Sequence, residues 1–213
     1  ITYASNKHIA FMMTELICLN SESATNRLVL LHGWGADAQD LVPVGKLLTE
    51  GAKDSFEIVS LSAPQPHPSG LGRQWYPLYP HEWGQVPNAV LELERRLNNL
   101  CFEQIPLNKT LLLGFSQGGA MALELAIKTK FAGVFALSSY PHPEWQPLKD
   151  MPPVFLSHGN MDQVVDKEAS QKTFDILKEN GNKSELYIFE GGHEISNELI
   201  DHYRGIIKKI FLN

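Results

Sequence analysis

The sequence predicts a doubly wound α/β fold with a mostly parallel sheet, formed as one domain over residues 1–213. Short apolar runs alternate along the chain with longer segments of helical periodicity, the order expected when helices connect parallel strands. The apolar runs are continuous rather than alternating with polar residues, which is typical of strands covered on both faces. No internal repeat or linker divides the chain, so a single domain is expected at this length.

Each element has its own local signal. A mixed apolar pattern over 8–19 predicts an edge strand, and apolar runs predict core strands at 28–31, 57–61, 110–115, 133–138, 154–157 and 185–189. Helical spacing of apolar residues predicts helices at 38–50, 85–100, 118–129, 167–180 and 196–212. Residues 62–87 form a long irregular stretch rich in proline, glycine and aromatic residues, and such loops inside compact domains are usually functional.

A strand at 110–115 runs directly into a serine motif, Gly114-Phe115-Ser116-Gln117-Gly118, and a helical pattern follows at once. This G-x-S-x-G sequence between a strand and a helix predicts a nucleophile elbow, in which Ser116 stands on a sharp turn at the strand tip. Small flanking residues allow the tight bend. The helix N-terminus favours negative charge near the serine.

An acid and a base follow downstream in the order that this fold requires. Asp162 and His193 each come shortly after a predicted strand, so both are expected at the same edge of the sheet as Ser116. The order serine, acid, histidine is that of an α/β-hydrolase. Histidine can take the serine proton, and a carboxylate fixes the imidazole tautomer. Asp166 is the alternative acid, but its place before the helix at 167–180 favours an N-cap.

Two backbone N–H groups are predicted to form an oxyanion hole. One follows the nucleophile and belongs to Gln117. The second is expected from the glycine-containing loop after the first core strand, and we assign it to Trp34. His32, in the same loop, is expected either to support the loop through hydrogen bonds or simply to pack within it.

The chain resembles the carboxylesterase, lysophospholipase and acyl-protein thioesterase family of small α/β-hydrolases. The resemblance covers nearly the whole chain from Leu28 onward, and four motifs carry it: Leu31-His32-Gly33-Trp34-Gly35, Gly114-Phe115-Ser116-Gln117-Gly118-Gly119, His158-Gly159-Asn160-Met161-Asp162-Gln163-Val164-Val165 and Gly192-His193. It implies a minimal α/β-hydrolase fold without a lid domain, with Ser116, Asp162 and His193 as the catalytic triad.

Two departures from the family pattern bear on the substrate. Position 34 is usually leucine in the family and is Trp34 here, so its side chain is expected to crowd the site. The segments after Tyr76 and after Ser138 are short, which predicts a small acyl channel. Trp75 and Tyr76 are the candidate substrate-binding residues, and Trp83 is a further aromatic that could line the acyl pocket. Arg73 is expected to form a structural salt bridge or to meet an acidic group of the substrate.

Composition excludes several classes of partner. A net charge of −6 argues against electrostatic binding of nucleic acid. No apolar stretch approaches the ~20 residues of a membrane span, and no signal-peptide pattern is present. Two cysteines, Cys18 and Cys101, are expected as free buried thiols, which together with the missing signal predicts a cytoplasmic protein. No metal or cofactor is expected, and a homodimer is possible.

The sequence therefore predicts a serine carboxylesterase that cleaves short- to medium-chain carboxylic esters through an acyl-enzyme. The first alternative is an acyl-protein thioesterase or lysophospholipase. An alternative from another class is a catalytically silent binding domain on the same fold, and peptidase activity is a further possibility that usually brings a cap domain.

Overall fold

Seven strands form one twisted sheet in the computed structural model, which describes residues 16–19, 23–52, 55–100 and 105–211. The strands are β1 Leu16–Leu19, β2 Asn26–Leu31, β3 Phe56–Leu61, β6 Thr110–Phe115, β7 Gly133–Leu137, β8 Val154–Gly159 and β9 Ser184–Phe189, and two short strands outside this sheet, β4 and β5, lie at Gln65–Pro66 and Arg73–Gln74. In the order of the sheet they are β1, β3, β2, β6, β7, β8 and β9, and all neighbours are parallel except β1 and β3.

Helices cover both faces of this sheet. Their bounds are α1 Val42–Leu48, α2 Val86–Leu100, α3 Gln117–Lys128, α4 Glu168–Glu179 and α5 Asn197–Phe211. One core cluster joins α2, α3 and α4 to one face of the sheet, and a second joins α1 and α5 to the other. Successive residues of β2 alternate between the clusters, since Val29 and Leu31 belong to the first and Leu28 and Leu30 to the second. The continuous apolar runs therefore reflect burial on both faces, as predicted.

The strand order reverses beside β2. From β2 the chain proceeds to β3 on one side, and it later returns to β6 on the other side. In open α/β sheets the crevice beyond the carboxyl ends of the strands at such a switch point is where ligands bind. The loops that follow β2 and β6 contain His32, Trp34 and Ser116, so the predicted site residues lie at this crevice.

The first predicted helix is shorter than expected. The pattern predicted residues 38–50, whereas α1 covers Val42–Leu48. Pro43 lies in the first turn, where its missing N–H costs nothing, whereas in a helix that began at 38 it would lie in the interior and remove a hydrogen bond. The helix therefore begins at Val42, one residue before the proline.

The long loop at 62–87 is ordered by short elements. It holds a two-stranded antiparallel ribbon, formed by β4 Gln65–Pro66 and β5 Arg73–Gln74, and a 3₁₀ turn at Trp83–Gln85. Of the predicted edge strand, 16–19 pairs with β3, and 8–15 lie outside the described residues. Within the part of the chain that the structure covers, no helix has the length and apolar character needed to cross a membrane.

The expectation of a buried thiol is wrong for Cys18. The Cys18 side chain is exposed at the edge strand, and its Sγ lies 3.5 Å from Glu57 Oε1. β1 is an edge strand with a neighbour on one side only, so its side chains can reach solvent. Cys101 lies outside the described residues.

Candidate active site

Ser116 lies at a sharp turn between β6 and α3. Its backbone has φ 53° and ψ −118°, a left-handed conformation that residues other than glycine rarely adopt. The turn is held in place because the Ser116 N–H donates to the Leu137 carbonyl of β7 at 2.8 Å. A strained residue that the surrounding structure fixes in this way is typical of a functional position.

Two glycines allow the backbone to close around this turn. A Cβ atom on Gly114 would lie 2.2 Å from the Gly118 carbonyl oxygen. A Cβ atom on Gly118 would lie 2.1 Å from the Leu31 carbonyl oxygen at the end of β2. The elbow is thus packed backbone against backbone, which places Ser116 beside the loop that follows β2.

Asp162 and His193 meet at the carboxyl ends of the last two strands. Asp162 follows β8 and His193 follows β9, and His193 Nδ1 lies 2.7 Å from Asp162 Oδ2. The other carboxylate oxygen, Oδ1, accepts the N–H groups of Val164 at 2.8 Å and Val165 at 2.9 Å. Since a carboxylate only accepts, Nδ1 of His193 carries the hydrogen and Nε2 is left as the basic nitrogen.

The ionised form of Asp162 is favoured by its partners. Burial of the carboxyl opposes ionisation, but the Val165 N–H, the His193 imidazole and the Val164 N–H together outweigh it. The net result is a pKa of Asp162 below its ordinary value. Hydrogen bonds to the charged form lower a carboxyl pKa in this way.

This pKa predicts a particular dependence of stability on pH. A carboxyl whose pKa is lower in the folded state stabilises the fold above its unfolded pKa, about 3.9, and that contribution is lost as pH falls through the folded value. We expect the difference in unfolding free energy between the wild type and Asp162→Asn to be constant above about pH 5 and to shrink below about pH 4. Urea unfolding at a series of pH values measures it, and a difference that grows on acidification would contradict the assignment.

Ser116 and His193 face the same cavity. It has a volume of about 490 Å³, and the ring of Phe115 lies against the ring of His193 with centroids 4.8 Å apart. Aromatic and apolar side chains make up most of the remaining wall, with few polar groups. The lining residues include Trp34, Asp40, Tyr79, Trp83 and Tyr140. A small, mostly apolar cavity with a few polar groups is the usual form of a ligand site.

The loop after β2 borders this cavity. Gly33 packs on the elbow, since a Cβ atom there would lie 3.4 Å from Ser116 Cβ. His32 anchors the loop: its Nδ1 donates to the Gly33 carbonyl at 2.7 Å, and its Nε2 accepts the Ala63 N–H at 2.9 Å. Burial lowers the pKa of His32, so the neutral ring that these two bonds require is favoured. His32 thus supports the loop, one of the two roles expected for it.

Trp34 lines the cavity, and its side chain is held by neighbouring residues. Its indole Nε1 donates to Gln74 Oε1 at 2.9 Å, and its ring packs edge-on against His67 and Tyr79. The side chain is therefore fixed from two sides. Trp34 is among the residues that line the cavity, and its crowding of the site stays a prediction.

Gln117 joins the elbow to the long loop. Its side-chain carbonyl accepts the Trp75 N–H at 3.0 Å, and its amide donates to the Tyr76 carbonyl at 2.8 Å. The Gln117 side chain is thereby turned away from solvent into the protein. No local pattern indicates this role, because the two partners are about 40 positions away along the chain.

The two predicted substrate-binding aromatics, Trp75 and Tyr76, lie in the core instead of lining the cavity. Both are fully buried, and the Trp75 indole N–H donates to the His32 carbonyl at 2.9 Å. The Tyr76 hydroxyl pairs with the Tyr140 hydroxyl at 2.8 Å and with His142 Nε2 at 2.9 Å. These polar ends are used inside the protein, so the two rings support the wall from behind.

Two other side chains have structural roles. Arg73 donates to the backbone carbonyls of Ala63 and Pro64, and makes no ion pair among the described residues, so the expected salt bridge is absent there. The carboxylate of Asp166 is exposed and accepts the Glu168 N–H at 3.3 Å at the start of α4. The N-cap residue of α4 is Lys167, which has no side-chain cap hydrogen bond, so the N-cap position expected for Asp166 is off by one residue.

His158 was not among the predicted site residues. This fully buried histidine at the end of β8 has its Nε2 3.2 Å from Asp162 Oδ2. The sequence signal that could have found this contact is the spacing of four residues between His158 and Asp162. When a strand ends in a turn, residues at this spacing can approach each other.

Comparisons with known proteins agree with the fold. Residues 12–211 match the family model described as Phospholipase/Carboxylesterase. An acyl-protein thioesterase 1 from Cryptococcus neoformans is 31% identical over 182 residues, which cover 73% of this chain and 74% of that protein. One from Neurospora crassa is 39% identical over 111 residues, 46% of this chain, and the match spans only 44% of that protein. The crystal structure of esterase PE8 superimposes with a TM-score of 0.84 at 27% identity, covering 92% of this chain and all of the other.

The architecture is that of an α/β-hydrolase, as predicted, and no lid domain is present among the described residues. The chain belongs to the phospholipase/carboxylesterase family.

Proposed function

We propose that this protein is a serine esterase that uses Ser116 as nucleophile, His193 as general base and Asp162 as the acid that orients the base. One observation carries the proposal. His193, bonded through Nδ1 to Asp162 at 2.7 Å, lines the same cavity as the strained serine of the elbow. A nucleophile, a base and a third group that orients the base make up the usual arrangement for nucleophilic catalysis.

The reaction follows from these positions. The Ser116 hydroxyl attacks the ester carbonyl while Nε2 of His193 takes its proton. The tetrahedral intermediate then collapses, and the alcohol leaves with the proton that His193 returns. Water, deprotonated by the same nitrogen, attacks the acyl-enzyme and releases the acid and the serine hydroxyl. Asp162 stabilises the imidazolium that forms in each half-reaction.

We assign stabilisation of the oxyanion to the backbone N–H groups of Trp34 and Gln117. Two features support this assignment. Gln117 is the first residue of α3, where the helix dipole favours negative charge. The loop that holds Trp34 is fixed against the elbow by Gly33 and by both ring nitrogens of His32. Donors fixed in advance of the reaction are the form of oxyanion stabilisation that enzymes use.

The cavity favours a small, neutral ester. A volume of about 490 Å³ leaves room for a short or medium acyl group together with a small alcohol. Asp40 is an acidic side chain in the cavity wall. Burial raises the pKa of its carboxyl, and the nearby charge of Asp37 raises it further. An anionic substrate would raise the cost of ionising Asp40 further, so an uncharged substrate fits better.

Thioester hydrolysis is the second candidate. The observation that favours it is the name of the relatives, since the Cryptococcus and Neurospora proteins are both acyl-protein thioesterases. The same residues would cleave a thioester by the same steps, with a thiol in place of the alcohol. The two candidates differ in leaving group and in acyl length, so substrate series separate them.

The test is fluorophosphonate labelling combined with hydrolysis of p-nitrophenyl esters and matched acyl thioesters of increasing chain length. We expect one adduct, on Ser116, and the fastest turnover on short esters. A strong preference for long acyl thioesters would favour the thioesterase. An unlabelled Ser116 with no turnover of any substrate would leave a silent binding domain as the better description.

Trp34 gives a prediction about acyl length. Replacing it with leucine, the residue usual in the family, removes a large ring from the cavity wall. We expect the ratio of kcat/KM for decanoyl over butyryl esters to rise about tenfold, since extra methylene groups gain contact worth roughly 1–3 kcal/mol. Leu71→Ala, at an exposed site outside the cavity lining, is the control and should leave the ratio unchanged. An unchanged ratio in Trp34→Leu would mean that its ring does not limit acyl length.

A further inference from the structure

Four side chains form a series of hydrogen bonds that runs from helix α3 to the wall of the active-site cavity. It begins at Glu124 of α3, whose Oε1 lies 2.8 Å from His142 Nδ1. His142 Nε2 lies 2.9 Å from the Tyr76 hydroxyl, which in turn lies 2.8 Å from the Tyr140 hydroxyl. His142 and Tyr76 are buried, whereas Tyr140 is partly exposed and lines the cavity. The series therefore ends where a substrate would bind.

The direction of these hydrogen bonds follows from the carboxylate at their start. A carboxylate only accepts, so the bond to Glu124 places the hydrogen of a neutral His142 ring on Nδ1. Nε2 is then an acceptor, and the Tyr76 hydroxyl donates to it. Tyr76 has a single hydroxyl hydrogen, so its oxygen accepts the hydrogen of Tyr140. The only hydrogen of the Tyr140 hydroxyl thus points into the protein, and its oxygen keeps a lone pair for another partner.

Both phenols keep their hydrogens near neutral pH. Burial raises the pKa of Tyr140 to about 12, although the hydrogen bond with Tyr76 acts in the opposite direction. Burial also raises the pKa of Tyr76 above its ordinary value. Tyr79 of the cavity wall adds to the rise at Tyr140, so the Tyr140 hydroxyl lies near that wall.

We propose that Tyr140 is a specificity-determining residue for the esterase reaction, and that its oxygen accepts a hydrogen bond from a hydroxyl group of the substrate. This inference rests on the proposed function and narrows its substrates to hydroxy esters. An alcohol gains a hydrogen bond at Tyr140, whereas an ether oxygen meets a lone pair and gains none. Glu124 and His142 are positioning residues, since they set the direction of the hydrogen bonds without touching the substrate.

The opposite direction would give a different specificity. If His142 donated through Nε2, the Tyr76 hydrogen would go to the Tyr140 oxygen, and the Tyr140 hydrogen would be free to enter the cavity. Tyr140 would then bind hydroxyl and ether oxygens alike, because both accept. Comparing an alcohol with its methyl ether therefore reveals the direction.

Two sets of three matched esters make this comparison. The first carries the variable group on the acyl side: methyl 3-hydroxypropanoate, methyl butanoate and methyl 3-methoxypropanoate. The second carries it on the alcohol side: 2-hydroxyethyl, propyl and 2-methoxyethyl butanoate. Each kcat/KM is divided by the rate of alkaline hydrolysis, which removes differences in intrinsic reactivity. At pH 8, where imidazole is ordinarily neutral, we expect the hydroxy ester of at least one set to exceed both analogues about fivefold, the effect of one neutral hydrogen bond.

Tyr140→Phe removes the accepting oxygen and keeps the ring. The preference for the hydroxy ester should fall to about one, because no hydrogen bond is left to gain. Tyr187→Phe is the matched control, since that hydroxyl bonds Glu198 and lies outside the cavity lining. Asp40, another acceptor in the wall, is kept in both variants. A preference that survives in Tyr140→Phe would belong to another acceptor and would overturn the assignment.

Glu124→Gln tests the direction of the hydrogen bonds from outside the cavity. An amide can donate to Nδ1 of His142, which allows Nε2 to donate to Tyr76 instead of accepting from it. The preference for hydroxyl over ether should then fall by at least about twofold, although the Tyr140 side chain itself is unchanged. Glu144→Gln changes an exposed carboxylate two residues after His142 and should leave the preference unchanged. An unaltered preference in Glu124→Gln would overturn the positioning role.

Binding of the same esters to Ser116→Ala, measured by NMR titration with and without Tyr140→Phe, needs no turnover. If the wild type cleaves no ester, the proposed function fails, and the binding ratios still test Tyr140. Tighter binding of the hydroxy ester that is lost with Tyr140→Phe supports the role. Equal binding of hydroxyl and ether overturns it. Should Tyr140→Phe fail to fold, Glu124→Gln gives the same test from an unaltered cavity.

Discussion

Ser116→Ala should lower kcat for an ester substrate by about 10⁵–10⁶-fold while the protein stays folded. The magnitude is that seen when the nucleophile of a serine hydrolase is removed, because the remaining triad members cannot act without it. The side chain is small and 8% exposed, so little packing is lost. Turnover of a p-nitrophenyl ester and the urea unfolding curve measure the two effects. Residual activity above about one part in a thousand would mean that another residue is the nucleophile.

Ser116→Gly separates the chemistry from the strain at the same position. Ser116 has φ 53°, and a non-glycine residue held in such a conformation costs about 1–3 kcal/mol. Glycine adopts it freely, so we expect Ser116→Gly to be as inactive as Ser116→Ala and more stable than it by about 1 kcal/mol. Equal stability of the two variants would show that the elbow stores no backbone strain.

Much of the fold could be predicted because its signals are local. The parallel strands are short apolar runs buried on both faces, and the helices between them have amphipathic spacing, so the alternation is visible without any long-range information. The positions of Ser116, Asp162 and His193 followed from one rule, that polar residues after successive parallel strands meet at one edge of the sheet. The contact between Asp162 and His193, at 2.7 Å, agrees with that prediction.

The cavity wall could not be predicted, because it depends on which way side chains point in an irregular loop. Of the three aromatics expected to line the cavity, Trp83 does so, whereas Trp75 and Tyr76 are buried in the core and Tyr79 of the same loop lines the cavity instead. Periodicity shows which face of a strand or helix a residue lies on. Residues 62–87 form only short elements, so no periodic pattern indicates which of their side chains face the cavity. Likewise the second imidazole at Asp162 depends on how the turn after β8 folds back, which the sequence does not specify.

Gly114 is a position in the elbow where adding a single methyl group should cost much stability. A Cβ atom on this residue would lie 2.2 Å from the Gly118 carbonyl oxygen and 2.5 Å from the Gly119 nitrogen. Both are backbone atoms at the first turn of α3, so neither can move aside as a flexible side chain could. Gly114→Ala must push the helix away from β6 and distort the elbow. We expect a loss of about 4 kcal/mol, and a melting temperature lower by about 10 °C.

Gly205→Ala is the matched control for this change. Gly205 lies inside α5 on an exposed face, and a Cβ atom there would meet nothing within 4 Å. Alanine is the better helix former, so this variant should gain up to about 1 kcal/mol. The same change from glycine to alanine is thus expected to lower stability at Gly114 and to raise it at Gly205, because backbone atoms occupy the space of the added methyl group only at Gly114. If Gly114→Ala melted within 2–3 °C of the wild type and still turned over ester at the normal rate, the close backbone packing of the elbow would not be what positions Ser116.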